Sequence, residues 1–447
     1  MGAPLRTAWG YYRDTQGPQE LVLSNIEKRG IPLDVSRCVE ASEQLTVEIE
    51  ELRQQLPDIN WNSPQQKSAL LYDDWGLPVP PVEGSVYPDF TPKAIKWVKG
   101  GKRSTSAVSL VWLISEVKDR QVTDQLWNVL KLQKLSRDRQ FADKLPTHRQ
   151  ADGRIHCGLA AAAETGRSTC KLPNLQQQPP SIRRAFVAPD GRVFLIFDYD
   201  ALEWRVLAHV LEKKYGDKSL SDDVRNGVDP HGATAVGLFG LECTANEVKK
   251  RSKSDDYYKG KRDQAKTINY GLNYGKTEFS LGAELKDDDG VPLGTDGARA
   301  LLDKFYETRP GIARFHADIK QYAHNHGYVR SLLGRFRPLP DINHKNRWIR
   351  QANERRAQNV IQNCATDVVT MAMLKTDRTR NQKLDELDCD LCLLLHDELV
   401  FEVPEDNAEE AAIEIKHRME TPFEGIRDFL CPLSVSGGPG KDWSAGH

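Results

Sequence analysis

Three short stretches of this 447-residue chain carry side chains that could do chemistry together. In RVFLIFDYDALEWRVLAHV the apolar run Val193 to Phe197 has strand length and Asp198 follows it directly. That places a carboxylate at the mouth of a buried strand. In DLCLLLHDELVFEV, Leu393 to Leu395 and Leu399 to Val403 flank His396, Asp397 and Glu398, so the segment reads as a hairpin with acids at its tip. Between them, RDQAKTINYGLNYG spaces Arg262, Lys266, Tyr270 and Tyr274 at steps of four. Such spacing stacks two cations and two aromatic rings along one helix face.

Each stretch alone has a plainer reading: an amphipathic helix with its tyrosines in a core, or acids solvated in a turn. Together they have one job. Cations followed by flat rings suit a nucleoside triphosphate, because phosphates need charge and a base needs a stacking partner. Phosphoryl transfer from a nucleotide needs charge neutralisation more than covalent chemistry, and two Mg2+ ions about 4 Å apart, bridged by carboxylates, supply it. Asp198 and Asp397 are the natural bridging pair. One ion would lower the pKa of a primer 3′-hydroxyl and the other would hold the triphosphate. Lys266 and Arg262 would neutralise the remaining phosphate charge.

Elements far apart in the chain must position these groups. Beyond Asp198, the residues Leu202, Val206, Leu207 and Val210 fall at helical spacing, which predicts a strand turning into a helix just past the aspartate. Asp34 can cap a helix carrying Cys38, Leu45, Ile49, Leu52 and Leu56 on one face, and Ser63-Pro64-Gln65-Gln66 reads as a capping box with Pro in its first turn. The opening third is therefore expected to be helical. Lys99 to Arg103, reading KGGKR and followed by Ser104, Thr105 and Ser106, is expected to be a flexible basic loop suited to duplex phosphates, with Lys102 and Arg103 as its DNA contacts. The charged stretch Glu284 to Gly290 is expected to be an exposed loop, and no internal repeat is visible.

Composition bounds the rest. The length allows about three domains. With 62 basic against 64 acidic residues the net charge is −2, so only local clustering could speak for or against nucleic acid. Eight cysteines lie scattered without a framework, which fits a reducing cytoplasm. The lone CxxC, Cys389 to Cys392, stands in an apolar strand and reads as core packing rather than a zinc site. No run is long and apolar enough to span a membrane and the N-terminus lacks a signal-peptide pattern, so a soluble protein is expected.

Over nearly all its length the chain resembles the polymerase region of the DNA polymerase I family, called family A. DYDALEWR resembles that family's first catalytic motif, RDQAKTINYGLNYG its fingers helix, and HDE its third motif. GKRSTS and NSPQQ resemble thumb sequences, TGRSTCKLPNLQ the palm segment before the first motif, and GKDWSAGH the C-terminus. The resemblance implies an α+β right-hand fold with thumb, antiparallel palm sheet and helical fingers. Its divisions would be an N-terminal extension at 1–24, thumb at 25–148, palm at 149–215 and 349–447, and fingers at 216–348. The implied activity is template-directed, DNA-dependent DNA polymerisation.

The resemblance also implies roles. Asp198 and Asp397 would hold two Mg2+ ions, with Mn2+ able to substitute, and the backbone carbonyl of Tyr199 would be a further ligand. Glu398 would sit beside the metals in a supporting catalytic role. Arg262, Lys266 and His231 would meet the substrate. Glu203 would close the sugar pocket against a 2′-hydroxyl, supported by Tyr274. Tyr270 would go with ready acceptance of dideoxynucleotides. Arg167, Asn174 and Gln176 would read the minor-groove side of primer and template, Asn359 and Gln362 would contact the strands near the terminus, and His396 would approach the primer end.

Departures from the family pattern carry expectations of their own. NVIQNCATD spaces its two amides by three where bacterial members use four, a form that resembles a phage-type branch. Asp200 and Ala201 replace a small polar residue and a glutamine, adding negative charge beside the metals. QQQPPSIRRAF is short of one basic residue, for which Arg183 or Arg184 would stand in. Only Met1 to Ser24 precede the thumb-like sequence, so no proofreading exonuclease domain and no 3′ to 5′ degradation are expected. The expected partners are primer–template DNA and deoxynucleoside triphosphates. A separate exonuclease or processivity factor is left open, and a monomer is expected in the cytoplasm of a bacterial or phage-infected cell. Among the alternatives, Glu203 argues against a single-subunit RNA polymerase, the stacking tyrosines against a metal-dependent nuclease, and the retained aspartates, Arg262 and Lys266 against an inactive DNA-binding module.

Overall fold

In the computed structural model, which describes residues 7–79, 103–117, 119–273, 275–288 and 290–446, the chain opens with helices, as the capping signals predict. After α1 (Gly17–Arg29), α2 (Val35–Arg53) begins where Asp34 accepts from the backbone N–H groups of Ser36 and Arg37. Its buried face, Cys38, Ala41, Leu45, Ile49 and Leu52, keeps the expected spacing. Ser63 caps the next short helix, but the box is only half formed: Gln66 Oε1 accepts from Asn60 N at 2.7 Å instead of returning to Ser63. Two further helices follow, α3 (Ala107–Glu116) and α4 (Arg120–Lys144), and α4 packs along α2 through Leu126, Val129, Leu132 and Leu135.

A small hairpin, β1 (Gly158–Ala160) and β2 (Thr169–Lys171), precedes the central sheet. That sheet is built from β3 (Arg192–Tyr199), β4 (Asp390–Leu395), β5 (Glu398–Pro404) and β6 (Val435–Gly440), antiparallel throughout in the order β6-β3-β5-β4. Strand β3 sits second in the sheet with Phe194 to Phe197 buried, which accounts for an apolar run rather than an alternating one. Gly437 in β6 has φ 128°, and a Cβ there would lie 1.9 Å from the Ile196 carbonyl. Only glycine allows the two backbones to approach this closely.

Helices cover the sheet and extend beyond it. Past Ala201, which is left-handed at φ 49°, the chain enters α5 (Leu202–Tyr215). Then come α6 (Pro230–Phe239), α7 (Asp256–Asn273), α8 (Gly294–Thr308) and α9 (Pro310–His326). A kinked pair, α10 (Arg347–Gln358) and α11 (Val360–Thr376), returns toward the sheet, and α12 (Ala408–Glu420) packs on β3, β5 and β6. Every residue of α11 except Lys375 is buried, as befits a helix enclosed by its neighbours α1, α5 and α12.

The stretch Glu284 to Gly290 is exposed at Glu284, Asp287, Asp288 and Gly290, as expected, but it is tied down rather than open. Leu285 is fully buried, Lys286 bridges Pro292, and Asp287 N donates to the Val291 carbonyl, closing a tight turn. Cys389 and Cys392 are buried in and beside β4, and all eight cysteines are free thiols. No helix of the described residues is long and apolar enough to cross a membrane.

Candidate active site

The hairpin β4–β5 turns at His396 and Asp397, with His396 left-handed at φ 53°. Its register pairs Leu395 with Glu398, and β3 pairs Asp198 with Glu398. The sheet therefore brings Asp198 and the turn residue Asp397 to one end, although they are distant in sequence. Burial, followed by the charges of Asp397, Glu398 and Asp200, pushes the Asp198 carboxyl up to about 7. Asp397 is raised by burial, against the opposing pull of Arg167 and His396. Arg167 Nη2 lies 3.7 Å from Asp397, while among the described residues no cation pairs with Asp198.

Acidic groups gathered with so little positive charge form a donor set that a cation would complete. No group of three His, Cys, Asp or Glu side chains among the described residues forms a metal cage. Two carboxylates fit Mg2+ better than a cage would, because this ion keeps waters and takes further oxygens from substrate phosphates. The residues present fit the expected metal.

Glu398 is not at the tip of the hairpin. It is the first residue of β5 and is buried, with Oε1 accepting from Trp443 Nε1 at 2.6 Å and Oε2 lying 3.5 Å from Arg183. Arg183 also stacks on the Trp443 ring at 4.7 Å. Of the two candidate basic residues, Arg183 is thus the one beside the acids, whereas Arg184 bonds Gln44. Asp200 is likewise occupied. Its carboxylate accepts from Ser434 at 2.7 Å and from Ser436, and its backbone carbonyl accepts from Arg205. The Tyr199 side chain is buried with its hydroxyl on the Met419 carbonyl, leaving only its backbone for the role expected of it.

Glu203, in the first turn of α5, is buried and receives Arg167 Nη2 at 3.3 Å. Arg167 therefore bridges Glu203 and Asp397. On α7, Arg262, Lys266 and Tyr270 share a face as the spacing predicts, and with His231, Lys249 and Asp200 they line a cavity of about 390 Å³. Lys266 is exposed. Arg262 is instead held by Asp229 in a two-point pair at 2.9 and 2.8 Å, and Asp229 also caps α6 through Gly232 N. The His231 and Tyr270 rings lie 5.4 Å apart. A larger cavity of about 930 Å³, lined by Asp14, Lys375, Arg380, Lys383, Glu410 and Arg418, contains none of these groups.

On the other side of the acids, Arg167, Gln176, His396 and Asp397 line one narrow crevice. Gln176 is anchored there, donating to Ser168 Oγ and the Leu394 carbonyl, both at 3.1 Å, and Asn174 Oδ1 accepts from Gln176 N. Asn359 and Gln362 do not sit on one unbroken helix. Asn359 forms the junction between α10 and α11, and its amide donates to Gln362 Oε1 at 3.2 Å. Arg103 pairs with Asp73 at 2.5 Å. Lys102 and Tyr274 lie outside the described residues. Sequence reasoning missed Asp229, Lys249 and Trp443; the Asp-Pro pair opening α6 is a helix-start signal that could have drawn attention to Asp229.

The model of DNA polymerase family A matches residues 35–445. The thermostable DNA polymerase I of Thermus thermophilus is 32% identical over 98% of this chain and 48% of its own length. DNA polymerase I of Pseudomonas aeruginosa is 31% identical over 97% of this chain and 44% of its own length. Among solved structures, the POL domain of Pol1 from M. smegmatis, in complex with DNA primer-template and dNTP, superposes with a TM-score of 0.79 at 26% identity. That match covers 97% of this chain and 70% of the other. The chain spans about half the length of the curated relatives it matches. A single match running through the helical opening, the acid-bearing sheet and the Lys266 helix shows that this chain belongs to DNA polymerase family A.

Proposed function

We propose that this chain is a template-directed DNA polymerase that adds deoxynucleotides to a primer 3′ end by two-metal-ion nucleotidyl transfer. The observation that carries the reading is the convergence of Asp198 and Asp397 at one end of the sheet, with the Lys266 cavity reaching Asp200 and Ser436 beside them. Asp198, Asp397 and the Tyr199 carbonyl would hold the ions. When bound, Mg2+ supplies charge neutralisation for the primer hydroxyl and for the departing pyrophosphate.

The chain's own residues do the rest. Lys266 meets the triphosphate as a point charge on an exposed face of α7. Arg262, oriented by Asp229, adds a second cation, and His231 and Tyr270 form the wall beside them. Glu203 sits under the sugar, where a buried carboxylate rejects a 2′-hydroxyl by bulk and by polarity. Arg167 holds Glu203 and Asp397 in register, so the sugar pocket and the metal pair are set by one guanidinium. Glu398 acts from behind, stiffening the turn through Trp443. Gln176 and His396 line the crevice in which the primer end would lie, with Asn174 holding Gln176 there, and Asn359, half-buried with its amide on the buried Gln362, would meet the strands near the terminus.

In this reading residues 25–148 are the thumb, 149–215 with 349–447 the palm, and 216–348 the fingers. Primer–template DNA and deoxynucleoside triphosphates are its partners, a separate processivity factor or exonuclease being open, and it works as a monomer. The eight free thiols support a reducing, cytoplasmic setting, and the short Asn359–Gln362 spacing supports the phage-type branch. The polymerase reading itself is tested by Mg2+-dependent extension of a primed DNA template, one nucleotide at a time. Incorporation that follows the templating base supports it, and duplex binding without extension contradicts it.

A further inference from the structure

Asn269 stands one position before Tyr270 on α7, and its side chain is buried. The amide nitrogen lies 3.0 Å from His231 Nδ1 and 3.4 Å from the Pro230 carbonyl, while the amide oxygen lies 3.0 Å from Thr234 Oγ1. A carbonyl can only accept, so the amide atom facing Pro230 has to be the NH2 group. The same NH2 faces Nδ1, which must then be a bare acceptor. A neutral imidazole carries one proton, so that proton is on Nε2. Among the described residues Nε2 has no hydrogen-bond partner and is not sealed from solvent. The ring lines the cavity shared with Arg262, Lys266 and Lys249.

We infer that Asn269 is a positioning residue that fixes His231 in its neutral Nε2–H form, so that the ring donates a hydrogen bond to a phosphate oxygen of the incoming nucleotide. This rests on the reading of the cavity as the triphosphate site. Thr234 stands beside the relay, its hydroxyl 3.0 Å from both the Asn269 amide oxygen and the Pro230 carbonyl, so its one proton serves either of the two acceptors while the Pro230 carbonyl sets which way the amide faces. The surroundings keep the ring neutral. Burial is the largest influence, Arg262, Lys266 and Lys249 push the same way, and Asp229 opposes them, leaving His231 down at about 4. Tyr270, the other titratable group against the ring, is itself pushed up to about 12 and stays protonated. A neutral donor of fixed direction serves the triphosphate without changing charge across the working pH range. An unfixed ring would spend part of its time with Nε2 bare, presenting a lone pair to a phosphate oxygen.

The test uses the full chain with 15N-labelled histidine, the His231 signals being assigned by their loss in His231→Gln. The expected spectrum shows a protonated Nε2 and a bare Nδ1, unchanged between about pH 6 and 8. In Asn269→Leu the tautomers should mix and the KM for deoxynucleotides should rise about tenfold, with kcat falling less. In Asn269→Asp, a near-isosteric change that serves if the leucine variant does not fold, the carboxylate would accept from Nδ1–H and the ring should titrate at higher pH. Proton on Nδ1 in the unaltered protein, or no tautomer change in either Asn269 variant, overturns the role of Asn269 whatever nucleotide binding does. Tautomers as expected with KM unmoved in both Asn269→Leu and His231→Gln would instead overturn the placement of the triphosphate against His231.

Discussion

Asp198 and Glu398 face each other across the β3–β5 ladder, and that register makes the residue before Glu398, Asp397, the first one free of the sheet at the end where Asp198 lies, close enough for its charge to act on the Asp198 carboxyl. A slip of one residue would turn Asp198 to the opposite face and dissolve the pair. The apolar cores of both strands, with Trp443 closing over Glu398, fix the register.

The Asp198 carboxyl, pushed up to about 7, ties metal binding to protons. Between about pH 4 and 7 the folded, metal-free protein holds a proton that the unfolded chain has released, so its stability falls as pH rises through this window. Asp397, also raised, adds to the effect. Mg2+ takes the place of the proton, so the stabilisation it gives should grow as pH rises toward 7. Melting temperatures with Mg2+ and with a chelator, compared across that range, check this; an increment independent of pH would contradict it.

Replacing Glu203 with alanine should raise ribonucleotide incorporation relative to deoxynucleotide by about 10²-fold, since the group that excludes the 2′-hydroxyl is gone. The same change frees Arg167, which now divides itself between Glu203 and Asp397. A higher Mg2+ requirement should therefore accompany the lost discrimination. Competition between the two nucleotides on one template reads the ratio, and an unchanged ratio would remove Glu203 from the sugar pocket.

Tyr270 keeps its phenol proton, its pKa pushed up to about 12 by burial and then by Glu203, Asp397 and Asp198. Its hydroxyl can thus act as a donor where a dideoxynucleotide lacks one. In Tyr270→Phe, discrimination against dideoxynucleotides should increase by about tenfold or more. Equal dideoxy termination by both proteins would rule out that role.

Trp443→Phe removes the indole donor from Glu398 and leaves a small gap in the core against Phe186, whose ring centroid lies 5.3 Å away. A loss of about 1–3 kcal/mol in unfolding free energy is expected, because the buried carboxylate loses a charge-assisted hydrogen bond. Urea denaturation measures it. Unchanged stability would show that Glu398 does not depend on Trp443.

The sequence made the local pieces legible because each has a short-range cause: the apolar run of β3, the caps of α2, the helical face bearing Arg262, Lys266 and Tyr270. What it hid are partnerships between side chains far apart in the chain. Arg262 reads as a free cation until α6 brings Asp229 against it. Glu398 reads as a tip acid until the C-terminal turn lays Trp443 over it. Asn359 and Gln362 have helical spacing, yet the chain breaks at Asn359, where the kink between α10 and α11 overrides local propensity. Asp200 looks like one more charge beside the metals, but two serines from β6 and its approach hold the carboxylate.

The central claim is that Asp198 and Asp397 form the centre of templated nucleotidyl transfer. The most direct measurement compares the intact chain with Asp397→Asn in single-nucleotide extension of a primed template with Mg2+, measuring duplex binding on the same samples. The account predicts that binding persists while the rate falls by about 10³-fold, as expected when charge stabilisation at the reacting phosphate is lost. Extension by the variant at the rate of the intact chain would contradict it.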